Sequence, residues 1–284
     1  PRYNDAPGSF LRPPTVGAGL AGPVTMIVLP RRGWLFDLDG TVYRGEALIP
    51  GADTTIAALR ATGRRVAFLS NKPLGTRADY AAKLTRLGIP TDAEDVITSS
   101  LVLARHLARL DRGASVFVIG EPPLVAELRA HGFDVRGDHR VRWVVIAFDR
   151  TFDYAKLNTA LQAVRGGARL IATNPDRTCP TEDGEIPDCA GMIAAVEAVT
   201  GHAVEVVVGK PSPIMLEVAL ERLGVAAAEC AIVGDRLETD IVMGKRLGLA
   251  TVLVLTGITR PADPRIAEVA PDLVLRSIKE ILGQ

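Results

Sequence analysis

Short apolar runs in this chain alternate with segments of helical period, and that alternation limits its fold more than any other feature. Trp34–Phe36 is followed by Ala52–Ala61, and Val66–Leu69 by Arg77–Leu87. Strands that alternate with helices pair in parallel and carry the helices on the faces of the sheet. The rhythm continues through Ser115–Ile119, Val141–Phe148 and Leu170–Thr173 as strands. A helix is expected over Tyr154–Val164, where Leu157, Ala160, Leu161 and Val164 fall at i, i+3, i+4 and i+7. Val204–Val208, a helix with Leu216, Leu220 and Leu223 on one face, Cys230–Val233 and Thr251–Leu255 complete the series. The expected class is α/β with a doubly wound parallel sheet. The strands outnumber what one such sheet of this length holds, which favours two domains.

Length and composition allow this architecture. A chain of 284 residues with 48% hydrophobic side chains can bury a sizeable core. Lys+Arg and Asp+Glu both total 33, so no general surface for nucleic acid or an anionic membrane is expected, and any anion site must be local. The three cysteines, Cys179, Cys189 and Cys230, form no C-x-x-C pair, which fits reduced thiols in a cytoplasm. No stretch approaches the roughly 18 apolar residues of a membrane span, and Leu20–Pro30 lacks the pattern of a signal peptide. Residues 1–25 are rich in Pro and Gly without a usable period and are expected to form a poorly ordered arm, with Met26 a candidate start.

The chemistry lies in the polar residues that end the apolar runs. Trp34–Phe36 ends in Asp37-Leu38-Asp39-Gly40-Thr41, and Val66–Leu69 in Ser70-Asn71. Val206–Val208 ends in Gly209-Lys210, and Ala231–Val233 in Gly234-Asp235, with Asp240 five residues on. Each alone has an ordinary reading as an Asx turn, a connecting loop, a solvated lysine or an N-cap. Four in this order, each ending a strand-like run, are hard to obtain by accident. Ligands of open parallel sheets bind beyond the carboxyl ends of the strands, so neighbouring strands would bring these groups together. Clustered carboxylates repel unless a cation sits among them, and hard oxygen ligands suit Mg²⁺. Lys210, Ser70 and amides near a helix start suit phosphate oxygens. The implied chemistry is phosphoryl transfer.

Together these segments resemble the four motifs of the haloacid dehalogenase superfamily, and the resemblance covers the chain from about Trp34 to its end. Val42-Tyr43-Arg44-Gly45, Ala172-Thr173-Asn174-Pro175-Asp176 and Val208-Gly209-Lys210-Pro211-Ser212-Pro213 are similar to its subfamily IIA, which holds nucleotide, pyridoxal-phosphate, glycerol-phosphate and nitrophenyl-phosphate phosphatases. Glu182-Asp183-Gly184 and Asp188-Cys189-Ala190-Gly191-Met192-Ile193 resemble most the sugar phosphatases of arabinose operons. The resemblance implies a Rossmann-like core over 26–101 and 189–284 with an α/β cap of the C2 type over 102–188. It implies Mg²⁺ held by Asp37, the backbone carbonyl of Asp39, and Asp235. Asp240 would orient a metal-bound water or Lys210.

On that reading Asp37 attacks phosphorus to give an aspartyl-phosphate, and Asp39 protonates the leaving alkoxide and then activates water. Lys210 and the metal neutralise phosphoryl oxygens, which Ser70 and Asn71 orient. Asp39 also argues for phosphate esters, since a halide leaving group needs no acid. Ser70 lies about thirty residues after Asp39, which leaves no room for the helical cap of phosphomutases.

Substrate choice is expected to rest on cap residues within and just after the Thr-Asn-Pro-Asp segment: Asn174, Arg177, Thr178, Cys179, Pro180 and Thr181. Arg177–Thr181 is read as a loop over the site. It has no aromatic ring to stack on a base or pyridine, which favours a small sugar or polyol phosphate over nucleoside monophosphates or pyridoxal phosphate. The ordinary alternative makes Cys179 a packing residue and Arg177 a solvated charge. His106, His131, His139 and His202 are assigned to structure or solvent. A phospho-accepting signalling domain also combines an acidic Mg²⁺ pocket with a lysine. It would not need an inserted domain of about 90 residues, and it keeps its paired acids apart from the phosphorylated one. A binding protein that has lost catalysis is disfavoured because every motif position is occupied. The resemblance to the subfamily also implies a homodimer through the cap.

Overall fold

The structure, a computed structural model, describes residues 30–181 and 184–283. The expected arm over 1–25, Met26, Glu182 and Asp183 lie outside the described residues, as do the side chains of Pro180 and Thr181.

The chain opens with β1 (Gly33–Asp37), whose five residues are all buried, and a small hairpin of β2 (Tyr43–Arg44) and β3 (Ala47–Leu48). Then come α1 (Ala52–Ala61), β4 (Arg65–Ser70), α2 (Arg77–Arg86), β5 (Val96–Thr98) and α3 (Ser99–Leu110). A second series comes next: β6 (Ser115–Ile119), α4 (Pro122–Ala130), β7 (Asp134–Val135), β8 (Trp143–Ile146), α5 (Tyr154–Arg165) and β9 (Arg169–Ala172). After it stand an antiparallel hairpin of β10 (Thr178–Thr181) and β11 (Gly184–Pro187), then α6 (Cys189–Thr200) and β12 (Val206–Val207). The remainder is α7 (Pro213–Leu223), β13 (Cys230–Gly234), α8 (Val242–Leu247), β14 (Ala250–Val254), α9 (Arg265–Val269) and β15 (Leu273–Leu275).

Six strands make one parallel sheet in the order β15-β14-β13-β1-β4-β5. The chain fills one side of β1 first and the other side later, so the order reverses between β1 and β13, which lie side by side with Leu35 opposite Ile232. Crevices for ligands form at such reversals. Alternate residues of β1 go to opposite faces. Trp34 and Phe36 pack with Ile56 and Leu59 of α1 and Leu84 of α2, while Leu35 packs with Val102 of α3 and Leu216 of α7. Both faces are covered, which is why the run is apolar throughout rather than alternating.

A second parallel sheet, β12-β9-β8-β6-β7, is built from the chain between β5 and α7. One of its faces packs Val144 and Ile146 on Ala160 and Ala163 of α5 and Val196 of α6. The other, through Val116, Trp143 and Val145, shares a continuous core with α3 and α7. Four features differ from the sequence expectation. The run 204–208 is only two residues of strand and pairs with β9, not with β1 or β13. Apolar character identifies a strand but not its sheet. Residues 189–207, expected in the first unit, likewise carry α6 and β12, which pack on the second sheet. Residues 178–181 form a strand of a hairpin where a loop was expected. Finally, β5 and β15, at three residues each, are strands that the sequence pattern does not mark, being too short for a periodic signal. Among the described residues, no helix is long and apolar enough to cross a membrane.

Candidate active site

The polar ends of β1, β4 and β13 meet beside one another at the order reversal, and the segment leaving β12 brings Lys210 to them. Asp37, the last residue of β1, pairs in register with Leu69 and so cannot turn away from the sheet end. The chain then reverses tightly. The amides of Val42 and Tyr43 donate to the Leu38 carbonyl at 2.8 and 3.1 Å, and Gly40 takes φ +91. A Cβ on Gly40 would stand 2.6 Å from Asp235 Oδ2, and one on Gly257 would overlap the same atom outright. Two glycines thus make the socket for that carboxylate, which also accepts the Ile258 amide at 2.6 Å.

Lys210 is 4% exposed and ion-paired with Asp37 and, at 2.9 Å, with Asp240. Asp37 also faces the Thr41 hydroxyl at 3.5 Å. Carboxylate oxygens of Asp37, Asp235 and Asp240 lie within 4.8 Å of one another, and all three residues are buried. Such crowding disfavours full ionisation. Burial pushes Asp37 up to about 6 against the pull of Lys210, with Asp240 and Asp39 adding to the rise. Burial, then Asp37 and Asp240, push Asp235 up to about 8. For Lys210 burial works against the charge, but Asp240 and Asp37 outweigh it and its pKa is raised. A divalent cation relieves this repulsion among the acids, and an all-oxygen donor set suits a hard one. The residues therefore fit Mg²⁺.

Ser70 ends β4 at 5% exposure and accepts the Lys72 amide on Oγ at 3.2 Å. Asn71 is engaged on every side. Its Oδ1 accepts the Lys210 amide at 2.8 Å, and its Nδ2 donates to the Lys210 carbonyl at 3.0 Å and to Asp176 Oδ2 at 2.8 Å. Side-chain amides have one acceptor and two donors, so Asn71 is a strut that sets the backbone of Lys210. Asp39, less buried than Asp37, is held by Lys72 Nζ at 2.6 Å.

The cleft is lined by Asp37, Asp39, Ser70, Asn71, Lys210 and Asp240 from the expected set. Asp235 sits just beneath, among the acids. Of the expected cap residues, Thr178 and Cys179 line it. Asn174 is buried behind, donating to Asp176 at 2.7 Å and to Asp188 at 3.1 Å, and Arg177 is exposed outside the lining. The backbone of Thr181 ends β10. None of the four histidines lines the cleft. Sequence reasoning passed over Tyr43, Lys72, Asp176, Asp188 and Arg236, all of which line it. Each lies inside or next to a motif, but only the folded chain shows that Asp176 faces Arg236 at 3.5 Å and Asn71 at once.

The chain has counterparts among known proteins. Residues 34–134 match a family model described as haloacid dehalogenase-like hydrolase, and residues 207–281 match one described as HAD-hydrolase-like. The sugar-phosphatase AraL of Bacillus subtilis (strain 168) is 46% identical over 250 residues, which covers 88% of this chain and 91% of that protein. An acid sugar phosphatase of Staphylococcus saprophyticus is 34% identical over 253 residues, covering 89% of this chain and 97% of its own. A p-nitrophenyl phosphatase from Archaeoglobus fulgidus superposes with a TM-score of 0.84 at 34% identity, covering 89% of this chain and 98% of that one. A 4-nitrophenylphosphatase from Thermotoga maritima gives 0.85 at 34% identity, with 90% and 97% covered.

Proposed function

Because the chain belongs to the haloacid dehalogenase-like hydrolases, we propose that it is a Mg²⁺-dependent phosphatase of small sugar or polyol phosphate monoesters. The observation that carries this reading is the buried set of Asp37, Asp235, Asp240 and Lys210 at the sheet reversal, acids and a cation arranged where a phosphate can enter. The names of the similar proteins, sugar phosphatases and nitrophenyl phosphatases, support the substrate class.

Asp37 is the nucleophile and forms an aspartyl-phosphate, splitting one displacement into two. Lys210 neutralises the equatorial oxygens, and the Asn71 strut keeps its backbone in place during both steps. Ser70 donates its hydroxyl to the phosphoryl group. Asp39 gives a proton to the leaving alkoxide and takes one from the attacking water of the second step, work worth about 10²–10⁴-fold. Asp37, Asp235 and the Asp39 carbonyl would hold Mg²⁺, with Asp240 fixing Lys210. When bound, the cation supplies charge neutralisation at the transferring phosphoryl group.

In this reading the second sheet is the cap, and its closure over the first sheet excludes water from the reaction. Thr178 and Cys179 bring no ring into the cleft, and the ring of Tyr43 already carries Lys83 Nζ at 3.9 Å. That favours sugar or glycerol phosphates over nucleoside monophosphates and pyridoxal phosphate. The partner is a small phosphorylated metabolite in a reducing cytoplasm, a reading that the three free cysteines support. A homodimer through the cap accompanies it, supported by the exposed Tyr154 and Val199 on α5 and α6. The test is a phosphate-release screen over sugar phosphates, glycerol phosphate, nucleoside monophosphates, pyridoxal phosphate and p-nitrophenyl phosphate, with and without Mg²⁺. Release from sugar phosphates that depends on Mg²⁺ supports the reading. Folded protein that releases phosphate from none of them sinks it.

A further inference from the structure

One cation in the cleft has no part in the chemistry described so far. Lys72 comes directly after Ser70-Asn71 and lines the cleft with Asp39, Thr178, Cys179 and Asp188. Its backbone is fixed on both sides, the amide donating to Ser70 Oγ at 3.2 Å and the carbonyl accepting the Tyr80 hydroxyl at 2.9 Å. The side chain, 25% exposed, reaches across to Asp39 Oδ2 at 2.6 Å and faces the Cys179 thiol from the cap hairpin.

An ammonium has three N–H donors, and a thiol is a weak acceptor. Asp39 and Cys179 therefore leave Lys72 with donor capacity toward a ligand in the cleft. Lys210 does not serve in its place, since Asp37 and Asp240 hold it deep in the site, where its remaining donor meets the phosphoryl oxygens. Position decides what Lys72 would meet. A general acid must come within about 3.2 Å of the oxygen it protonates. Lys72 Nζ is one hydrogen bond from the Asp39 carboxylate, so it stands within about 6 to 8 Å of the ester oxygen of a bound substrate, depending on which carboxylate oxygen gives the proton. That is the zone of the carbon next to the ester and of its hydroxyl.

We propose that Lys72 is a specificity-determining residue that donates a hydrogen bond to a hydroxyl on the carbon adjacent to the phosphoester, and so selects polyol and sugar phosphates over plain alkyl phosphates. Asp188, which lines the same cleft and already caps α6 through the Cys189 amide at 2.6 Å, offers the complementary acceptor. A donor and an acceptor in one cleft suit a polyol, whose hydroxyls do both. An apolar leaving group would leave both unmatched, and a site built to bond a hydroxyl rejects analogues that lack it. Because Lys72 touches the cap through Cys179, this selection operates when the hairpin lies over the cleft.

The inference rests on the phosphatase reading, and its test separates the two. Glycerol 3-phosphate and n-propyl phosphate have the same carbon chain and alkoxide leaving groups but differ in the hydroxyls; p-nitrophenyl phosphate needs little acid assistance. Wild-type protein should turn over all three and prefer glycerol 3-phosphate to n-propyl phosphate in kcat/KM. Lys72→Met lowers turnover of both alkyl esters, because Asp39 loses its partner. It should lower the glycerol 3-phosphate to n-propyl phosphate ratio by a further 10- to 100-fold, the scale of a lost charged hydrogen bond. Lys72→Arg should restore part of the ratio. A ratio unchanged in Lys72→Met overturns the inference while leaving the phosphatase reading intact, as does a wild type with no preference. A wild type inert on all three overturns the phosphatase reading and the inference with it.

Discussion

Asn71 Nδ2 donates to the Asp176 carboxylate at 2.8 Å, joining the loop after β4 to the loop after β9. The same carboxylate faces Arg236, in the turn after β13, at 3.5 Å. Asp176 thus ties together the first and second sheets through the two residues that flank Lys210 and Asp235. Three side chains, Asn71, Asp176 and Arg236, thus link the loop after β9 to the loops after β4 and β13.

Replacing Asp176 by Ala removes that tie and leaves Arg236 and Asn71 short of an acceptor. We expect kcat/KM to fall about 10- to 100-fold on every substrate, with a melting temperature lower by a few degrees, since each unpaired buried group costs roughly 1–3 kcal/mol. Asp176→Asn keeps one acceptor and should retain more activity. Steady-state kinetics beside calorimetry would check this, and Asp176→Ala with wild-type kinetics would refute the coupling.

Asp37→Asn keeps the shape of the side chain but removes the nucleophilic oxygen's charge. Turnover should drop by at least about 10⁴-fold, the scale seen when a covalent catalyst loses its nucleophile. Circular dichroism and melting should show a folded protein. Activity within tenfold of wild type would mean that water attacks phosphorus directly.

Gly257 makes room for Asp235, since a Cβ there would overlap Oδ2. Gly257→Ala must therefore displace that carboxylate. The Mg²⁺ concentration for half-maximal activity should rise by more than about tenfold, the effect of disturbing a ligand's surroundings. Titration calorimetry with Mg²⁺ reads the same change without turnover, and an unaltered affinity would exclude Asp235 as a ligand.

The acids also set a pH dependence in metal-free protein. Asp235 is lifted to about 8 and Asp37 to about 6 from an ordinary 3.8, so the folded state holds these protons more tightly than the unfolded chain. Their contribution to stability is fully present below pH about 4 and is lost as the pH rises through about 6 and about 8. In chelator, wild-type protein should lose melting temperature between about pH 5 and about pH 8 relative to Asp235→Asn, and added Mg²⁺ should recover it. A wild type whose melting temperature tracks that of Asp235→Asn across this span would show that the site carries no such proton linkage.

Much of this was legible in the sequence, and for physical reasons. β1 reads as a buried strand because both its faces are covered, so Trp34, Leu35 and Phe36 are all apolar and the polar residues after them stand out. Asp37, Ser70, Lys210 and Asp235 could be named because each ends or comes after such a run. What pattern could not supply was the sheet to which a run belongs: Val206–Val207 joins β9, and Lys210 enters from the second sheet. Nor could it show that Lys72 turns toward Asp39, that Arg177 points to solvent while Thr178 and Cys179 face the cleft, or that Asp176 bridges two loops. Those depend on contacts between residues more than thirty positions apart, which local period does not encode.

The central claim is that Asp37 takes the phosphoryl group before water does, and the stereochemical course at phosphorus tests it most directly. With a sugar thiophosphate made chiral at phosphorus by sulfur and two oxygen isotopes, and hydrolysed in water carrying the third, two successive in-line displacements at phosphorus give net retention, which is the outcome expected here. Net inversion would mean a single direct attack by water and would contradict the account.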